Sequence, residues 1–426
     1  MVGAIINGDH IVIGSGLAGF SAAVTLKTLG KEVVIVTKGV GASAISSGAW
    51  DFGPIRSSWE KPFAEIRESA EWKLAYRHLL VESNPVPDSG QIAATLEMLQ
   101  AAFGNDLKLS FRYDRPYCLP TTSGNWRYTY GAQEIQTRAD ISRWANQTVG
   151  LVISPQWRLH GRMLARQLSE MAQEMGDPVE IVPLALDLSP QQDWALPNFA
   201  MRYRQDAELR KKIADKIRAA LPQGCAAVFF PPLFLEVTQA DELSAQLGIP
   251  VAECLATNEP IPGYRLQIAM DLALVKLGIG RHVTTHLQAE HTLTEILSLE
   301  VSKGRALRGD RYYLATGKFL GGGIALDYRE VSEPLFQLPV FRHRTFEPVQ
   351  FRSQLPLIPD AREAQPWAEL GIWLNQKWQP RDQNNQPVFE NLYACGSVIG
   401  GVDFARHNIG LGFMAWSGRQ CALVDA

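Results

Sequence analysis

Apolar and polar positions follow two rhythms along this chain, and the switch between them marks its elements. A short apolar run at residues 11–13 predicts a buried strand, residues 20–29 a helix, and residues 33–36 the next strand. Helical spacing of apolar residues recurs over 60–80 and 91–103. Residues 116–130 are aromatic and turn-rich, which predicts a hairpin either over a ligand or at a sheet edge. Strands at 150–153, 179–184 and 226–230 then alternate with helices at 158–175 and 206–220. That alternation predicts a second α/β unit inserted in the first. The amphipathic stretch 264–277 predicts a helix, with strands at 282–287, 297–301 and 311–314 after it. Residues 330–385 are rich in Pro, Gln and Trp, which predicts irregular structure above a binding face. A short strand at 391–394 and a closing helix from Gly410 complete the pattern.

The first two strands and their helix enclose Gly14-Ser15-Gly16-Leu17-Ala18-Gly19. Strand, glycine turn, helix and strand within about 30 residues is the context of a dinucleotide fingerprint. Gly14 permits the tight turn, Gly16 admits a phosphate to the backbone, and Gly19 lets helix and strand pack closely. The free N–H groups at the helix start then face an anion. An ordinary βαβ turn is the alternative. The loop after the second strand, Thr37 to Gly48, is small, polar and glycine-rich. Thr37, Lys38, Ser46, Ser47 and Gly48 are therefore candidates to hold a ribityl chain or phosphate, or else form a surface turn.

Two further strand ends carry glycine: Ala315-Thr316-Gly317, and Tyr393-Ala394-Cys395-Gly396 followed by the closing helix. A nicotinamide enzyme needs only the first motif, whereas flavoproteins of the glutathione-reductase-like class use all three. The set predicts a flavin, with Thr316, Gly317, Gly396, Asp403, Gly410 and Gly412 beside it. The fold class is then α/β: a Rossmann-like flavin-binding domain with a parallel sheet and an inserted second α/β domain. Residues 1–55, 262–330 and 386–426 are assigned to the flavin domain. Residues 56–261 form the inserted substrate or partner domain, and 331–385 a cap.

Composition narrows the picture by exclusion. Of 426 residues, 46% are hydrophobic and 20% charged, and 41 basic against 44 acidic residues leave a net charge of −3. That balance predicts no nucleic-acid binding and no direct membrane surface. No run of 18 apolar residues occurs and no signal peptide precedes the first strand, so a cytoplasmic setting is expected. Five scattered cysteines without CxxC spacing suggest neither an iron–sulfur cluster nor structural zinc. His282 and His286 lie four apart in a β-prone stretch, where chelation is difficult, and no metal site is expected.

The chain resembles the family formed by the B subunits of anaerobic glycerol-3-phosphate dehydrogenase. Val36-Thr37-Lys38-Gly39, Ser46-Ser47-Gly48, Pro262 to Gln267, Gly317 with Gly321 to Gly323, and Glu390 to Asp403 carry the likeness. The middle, about 55–260, is similar only in layout. The resemblance implies a flavin, usually FMN, and a complex with an FAD-bearing catalytic subunit and an iron–sulfur subunit. Such complexes oxidise glycerol 3-phosphate to dihydroxyacetone phosphate and pass electrons to quinone, which implies peripheral attachment at the inner membrane through partners. Thr37 stands where adenine-dinucleotide sites of this fold usually carry Asp or Glu, which favours FMN over FAD. A non-catalytic electron-relay subunit and a fumarate-reductase-like flavoenzyme are the competing functions.

The family's run of glycines after the aspartate is replaced here by Phe404 to Gly412. Arg406 and His407 are thereby candidates for an anion contact and for acid–base work, or ordinary loop residues. Arg265, at a helix start, is a candidate to grip a phosphate of substrate or cofactor, with a structural ion pair as the alternative.

Overall fold

Burial on both faces selects the strands at the centre. The computed structural model describes residues 4–55, 61–77, 79, 86–154, 157, 161–186, 196–257, 259–342, 348–360, 363 and 365–424. Strands β1 (His10–Ile13), β2 (Val33–Thr37), β3 (Gly280–Val283), β4 (Arg311–Leu314) and β5 (Leu392–Ala394) form one sheet in the order β3-β2-β1-β4-β5. All its pairings are parallel. β1 is buried along its whole length, as the middle strand of a parallel sheet must be. Ile13 pairs with Val36 and Leu314, and Leu314 pairs with Ala394. Three strands thus end level, and the loops leaving them emerge along one edge, where open parallel sheets bind ligands.

Helix α1 (Leu17–Thr28) follows β1 and is buried from Leu17 through Leu26. A helix apolar on all sides is an internal one. It is enclosed by α2 (Ile261–Lys276), the helix Ser89–Phe103 and α3 (Leu411–Leu423). Phe20 stacks on Phe103 with centroids 5.4 Å apart. Ser21 Oγ donates to Ala415 O at 2.6 Å, and a Cβ at Gly418 would strike Ala18 O. Glycine at 418 is what lets the two backbones touch.

A second sheet, four parallel strands, spans Thr148–Ile153, Glu180–Ala185, Ala227–Phe230 and Val251–Glu253. It packs helices Gly161–Glu174 and Ala207–Ala220 around its own apolar cores. Asp206 starts the latter helix by accepting the Leu209 N–H at 2.9 Å. The aromatic stretch is a hairpin, Tyr117–Pro120 paired with Trp126–Thr129. Residues 335–389 are largely irregular where described, built of turns and isolated bridges. No helix among the described residues is long and apolar enough to cross a membrane.

Two expected elements differ. In place of one helix over 60–80 there are two short ones, Phe63–Arg67 and Ala70–Ala75. Ser69 divides them because its side chain caps the second, accepting the Trp72 N–H at 3.2 Å. Residues 60, 78 and 80 lie outside the described residues, as do 158–160 ahead of Gly161–Glu174. The strand expected over 282–287 stops at Val283. There Thr284 turns the chain, its hydroxyl donating to His286 O and receiving the His286 N–H. The two histidines are therefore not neighbours on one regular strand.

Candidate functional site

The level strand ends open into a cleft of about 610 Å³. Gly14 leaves β1 with φ +114, and a Cβ there would strike Ala315 O on the adjacent strand end. Only glycine permits that turn and that approach. A Cβ at Gly19 would strike Gly14 O, so the third glycine serves packing and stands behind the cleft wall. Gly16 is different: it faces the cleft, and its nearest neighbours would be Gly41 Cα at 3.7 Å and Ser43 Oγ at 3.8 Å.

Of the sequence-predicted cofactor residues, Gly14, Gly16, Thr37, Lys38, Ser46, Ser47, Thr316, Gly317 and Gly410 line this cleft. Gly19, Gly48, Gly396, Asp403 and Gly412 are not in its lining; they pack behind or beside it. Gly396 lies against α1, where a Cβ would stand 2.7 Å from the Ala18 methyl, while its neighbour Ser397 reaches the cleft and Gly317. The three glycine-bearing strand ends therefore meet at one place.

Thr37 does not reach out as a ribose-binding carboxylate would. Its Oγ1 donates to Gly39 O at 2.6 Å and accepts the Gly39 N–H, which turns the chain after β2. Ser15 Oγ closes the same turn, 3.0 Å from Gly39 O. Among the described residues neither α1 nor α3 has a side-chain cap at its N-terminus, so no capping side chain occupies their first N–H groups. Ser43 Oγ, Ser46 Oγ and Thr316 Oγ1 are buried cleft hydroxyl oxygens with no protein partner among the described residues. Unmatched buried hydroxyls beside two open helix starts are the donor set that a phosphorylated, carbonyl-rich cofactor requires.

Four charged lining residues escaped the sequence reading: Asp51, Arg127, Lys318 and Glu333. Lys318 directly follows the Ala315-Thr316-Gly317 strand end, a signal that pointed to it. Its Nζ donates to Ala368 O at 2.7 Å and Val402 O at 3.3 Å, and it stands 4.9 Å from the centre of the Phe404 ring. Burial lowers its pKa to about 7, against an upward pull from Asp403 and Glu369. The unfolded chain keeps this proton up to the ordinary lysine value of 10.5, whereas the native chain releases it near 7. Stability should therefore rise with pH across that window. Lys318→Met should abolish a rise of about 3 kcal/mol between pH 7 and 9.5, read as the difference between urea titrations of the two proteins. Glu333 is buried, and its carboxylate accepts the N–H groups of Leu335 and Phe336 at 3.1 and 2.8 Å, so it closes a turn.

The three predicted catalytic residues are not brought to the cleft. Arg265 is 3% exposed and points into the second sheet. It donates to Gln133 Oε1 at 2.7 Å, Phe234 O at 2.5 Å and Glu253 Oε2 at 2.7 Å. Glu253 Oε1 in turn accepts the N–H groups of Leu233 and Phe234, both at 2.7 Å. This is the structural ion pair, with no edge of the guanidinium left for a phosphate. Arg406 is exposed, and its backbone N–H donates to Asp403 Oδ1 at 3.0 Å. Asp403 thereby caps the turn that carries Arg406 and His407, and neither of those side chains lines the cleft.

The geometry is that of a cofactor-binding oxidoreductase, and the comparisons agree. The chain belongs to the FAD binding domain family, whose pattern matches residues 9–140 and 271–412. It is a flavoprotein, a flavin-dependent oxidoreductase. Among curated proteins it is similar to the B subunit of anaerobic glycerol-3-phosphate dehydrogenase from Actinobacillus succinogenes, at 24% identity over 95% of each chain. The protein of that name from Pasteurella multocida is 22% identical over 95% of this chain and 96% of its own. Among solved structures, 3-ketosteroid Δ1-dehydrogenase from Sterolibacterium denitrificans aligns over 98% of this chain and 99% of its own, at 11% identity and a TM-score of 0.42.

Proposed function

We propose that this chain is the flavoprotein subunit of a glycerol-3-phosphate dehydrogenase complex, oxidising glycerol 3-phosphate to dihydroxyacetone phosphate. Its partners are an FAD-bearing catalytic subunit and an iron–sulfur subunit, through which electrons pass to quinone. The observation that carries this reading is full-length likeness to the B subunits of such dehydrogenases, together with one cleft where all three glycine-bearing strand ends meet.

The bound flavin supplies a two-electron acceptor that returns electrons singly. The chain's part is to hold and tune it. Gly14, Gly16 and the open N–H groups of α1 hold the phosphate end. Ser46, Ser47 and Gly317 line the middle, and the start of α3 favours negative charge developing at the ring end. The cleft also continues past α1 along Val36 to Gly41 and reaches Leu287. That extension, at the end of β2, is where this sheet type receives an adenosine. It supports FAD in this chain, although Thr37 lacks the usual carboxylate; the family pattern points the same way.

The purified protein should release FAD on acid treatment, identified by mass. Glycerol 3-phosphate alone should bleach the protein's flavin absorption under anaerobic conditions. Bleaching that requires the partner subunits would instead make this chain an electron relay, and a released FMN would return the cofactor assignment to the smaller flavin.

A further inference from the structure

We infer that Arg127 is the residue that receives the substrate's anionic group, with the buried Asp51 holding its guanidinium over the α3 end of the cleft. This rests on the functional reading above for the identity of the anion, a phosphate monoester. The positioning follows from the protein alone.

Asp51 is 1% exposed, and a carboxylate so buried must be fully paired. Thr129 Oγ1 donates to its Oδ1 at 2.6 Å, and Arg127 Nη2 donates to its Oδ2 at 2.5 Å. Both donors come from the second strand of the aromatic hairpin. The Asp51 backbone is fixed too, since its carbonyl accepts the Gly410 N–H at 3.0 Å, immediately before α3. One N–H of Arg127 is committed to this pair. Its Nε and Nη1 groups have no protein partner among the described residues, and the side chain remains 38% exposed with the cleft beside it. A guanidinium clamped at one corner presents its other donors in a fixed fork, the geometry that matches a phosphate or carboxylate.

The cofactor's own phosphate is not the group it meets. Gly418 of α3 lies against Ala18 in the first turn of α1. Leu411 begins α3 seven residues earlier, so the Asp51–Gly410 contact stands about 10 Å farther along the helix axis. Arg127's anchor therefore stands at the start of α3, about two turns from that helix's contact with the first turn of α1. The fork therefore faces the part of the cleft left for a second, small molecule, and the open N–H groups at the start of α3 add to the same positive field.

Calorimetric titration of the flavin-loaded protein tests this, with glycerol 3-phosphate, glycerol and fumarate as probes. Arg127→Gln should weaken glycerol 3-phosphate binding by about 100-fold and leave the weak binding of glycerol unchanged. Arg127→Lys keeps a positive charge beside Asp51 and preserves folding, yet should still lose about 10-fold, because an ammonium lacks the fork. Flavin content per chain should stay at the wild-type value in Arg127→Lys. If wild type binds glycerol 3-phosphate and both variants bind it equally, the assignment of Arg127 is overturned while the proposed function stands. If fumarate binds instead, and does so through Arg127, the proposed substrate falls while the anion site stands. Binding of neither anion to wild type overturns both.

Discussion

Gly16→Val should yield a folded protein that purifies without flavin. Gly16 has φ −70 and ψ 177, an extended conformation that any residue adopts. An added Cβ would come no closer than 3.7 Å to other protein atoms, ordinary van der Waals contact. The fold therefore leaves room for a β-carbon there. The cofactor does: Gly16 lines the cleft at the start of α1, and a branched side chain would fill the approach of a phosphate to the open N–H groups. Flavin affinity should fall by at least about 100-fold, the loss of several charge-assisted bonds. The check is the ratio of visible to ultraviolet absorption, with circular dichroism to show the fold retained. Gly14→Val and Gly19→Val should instead fail to fold, because the new atoms strike Ala315 O and Gly14 O. A Gly16→Val protein carrying one flavin per chain would mean that the phosphate sits elsewhere.

Glu253→Ala should cost about 3–5 kcal/mol of stability. Removing this carboxylate leaves the Arg265 guanidinium buried at 3% exposure without its counter-charge. It also strips acceptors from the Leu233 and Phe234 N–H groups. Replacing both partners together, as Glu253→Met with Arg265→Met, should recover much of the loss, since no charge then remains buried. Urea unfolding followed by fluorescence measures both. Flavin content per folded chain should be unchanged in the double variant, because Arg265 stands outside the cleft. Loss of flavin from a stably folded double variant would restore Arg265 as a phosphate ligand.

These two outcomes separate what was readable in the chain from what was not. The cofactor-facing half of the site is built from strand ends and glycine turns, and each of those announces itself locally. Ile11 to Gly19 carries its own strand, turn and helix start, as Arg311 to Gly317 and Leu392 to Gly396 carry their own strand ends. Apolar runs bounded by glycine mean the same thing wherever they stand, because backbone geometry and burial are short-range constraints. Ser69 and Thr284 show the limit even of local reading. A single hydroxyl bonding to nearby backbone cut a helix in two and ended a strand early.

Charged side chains were legible only as possibilities. Arg265 had two readings at a helix start, and its choice depended on Gln133, 132 residues away, and on Glu253 at the end of a strand of the second sheet. Arg127 and Asp51 are 76 residues apart, and nothing around either one names the other. Arg406 and His407 follow a family motif, yet in the turn capped by Asp403 neither of their side chains lines the cleft.

The sequence by itself determined the α/β sheet, the three glycine turns and the flavin they serve. Those follow from periodicity and from where a Cβ is absent, and both are properties of short stretches. Tertiary structure alone decided which cations are buried as struts and which line the cleft. A charge takes its role from the partners and the solvent that the folded chain leaves around it, and those come from distant segments.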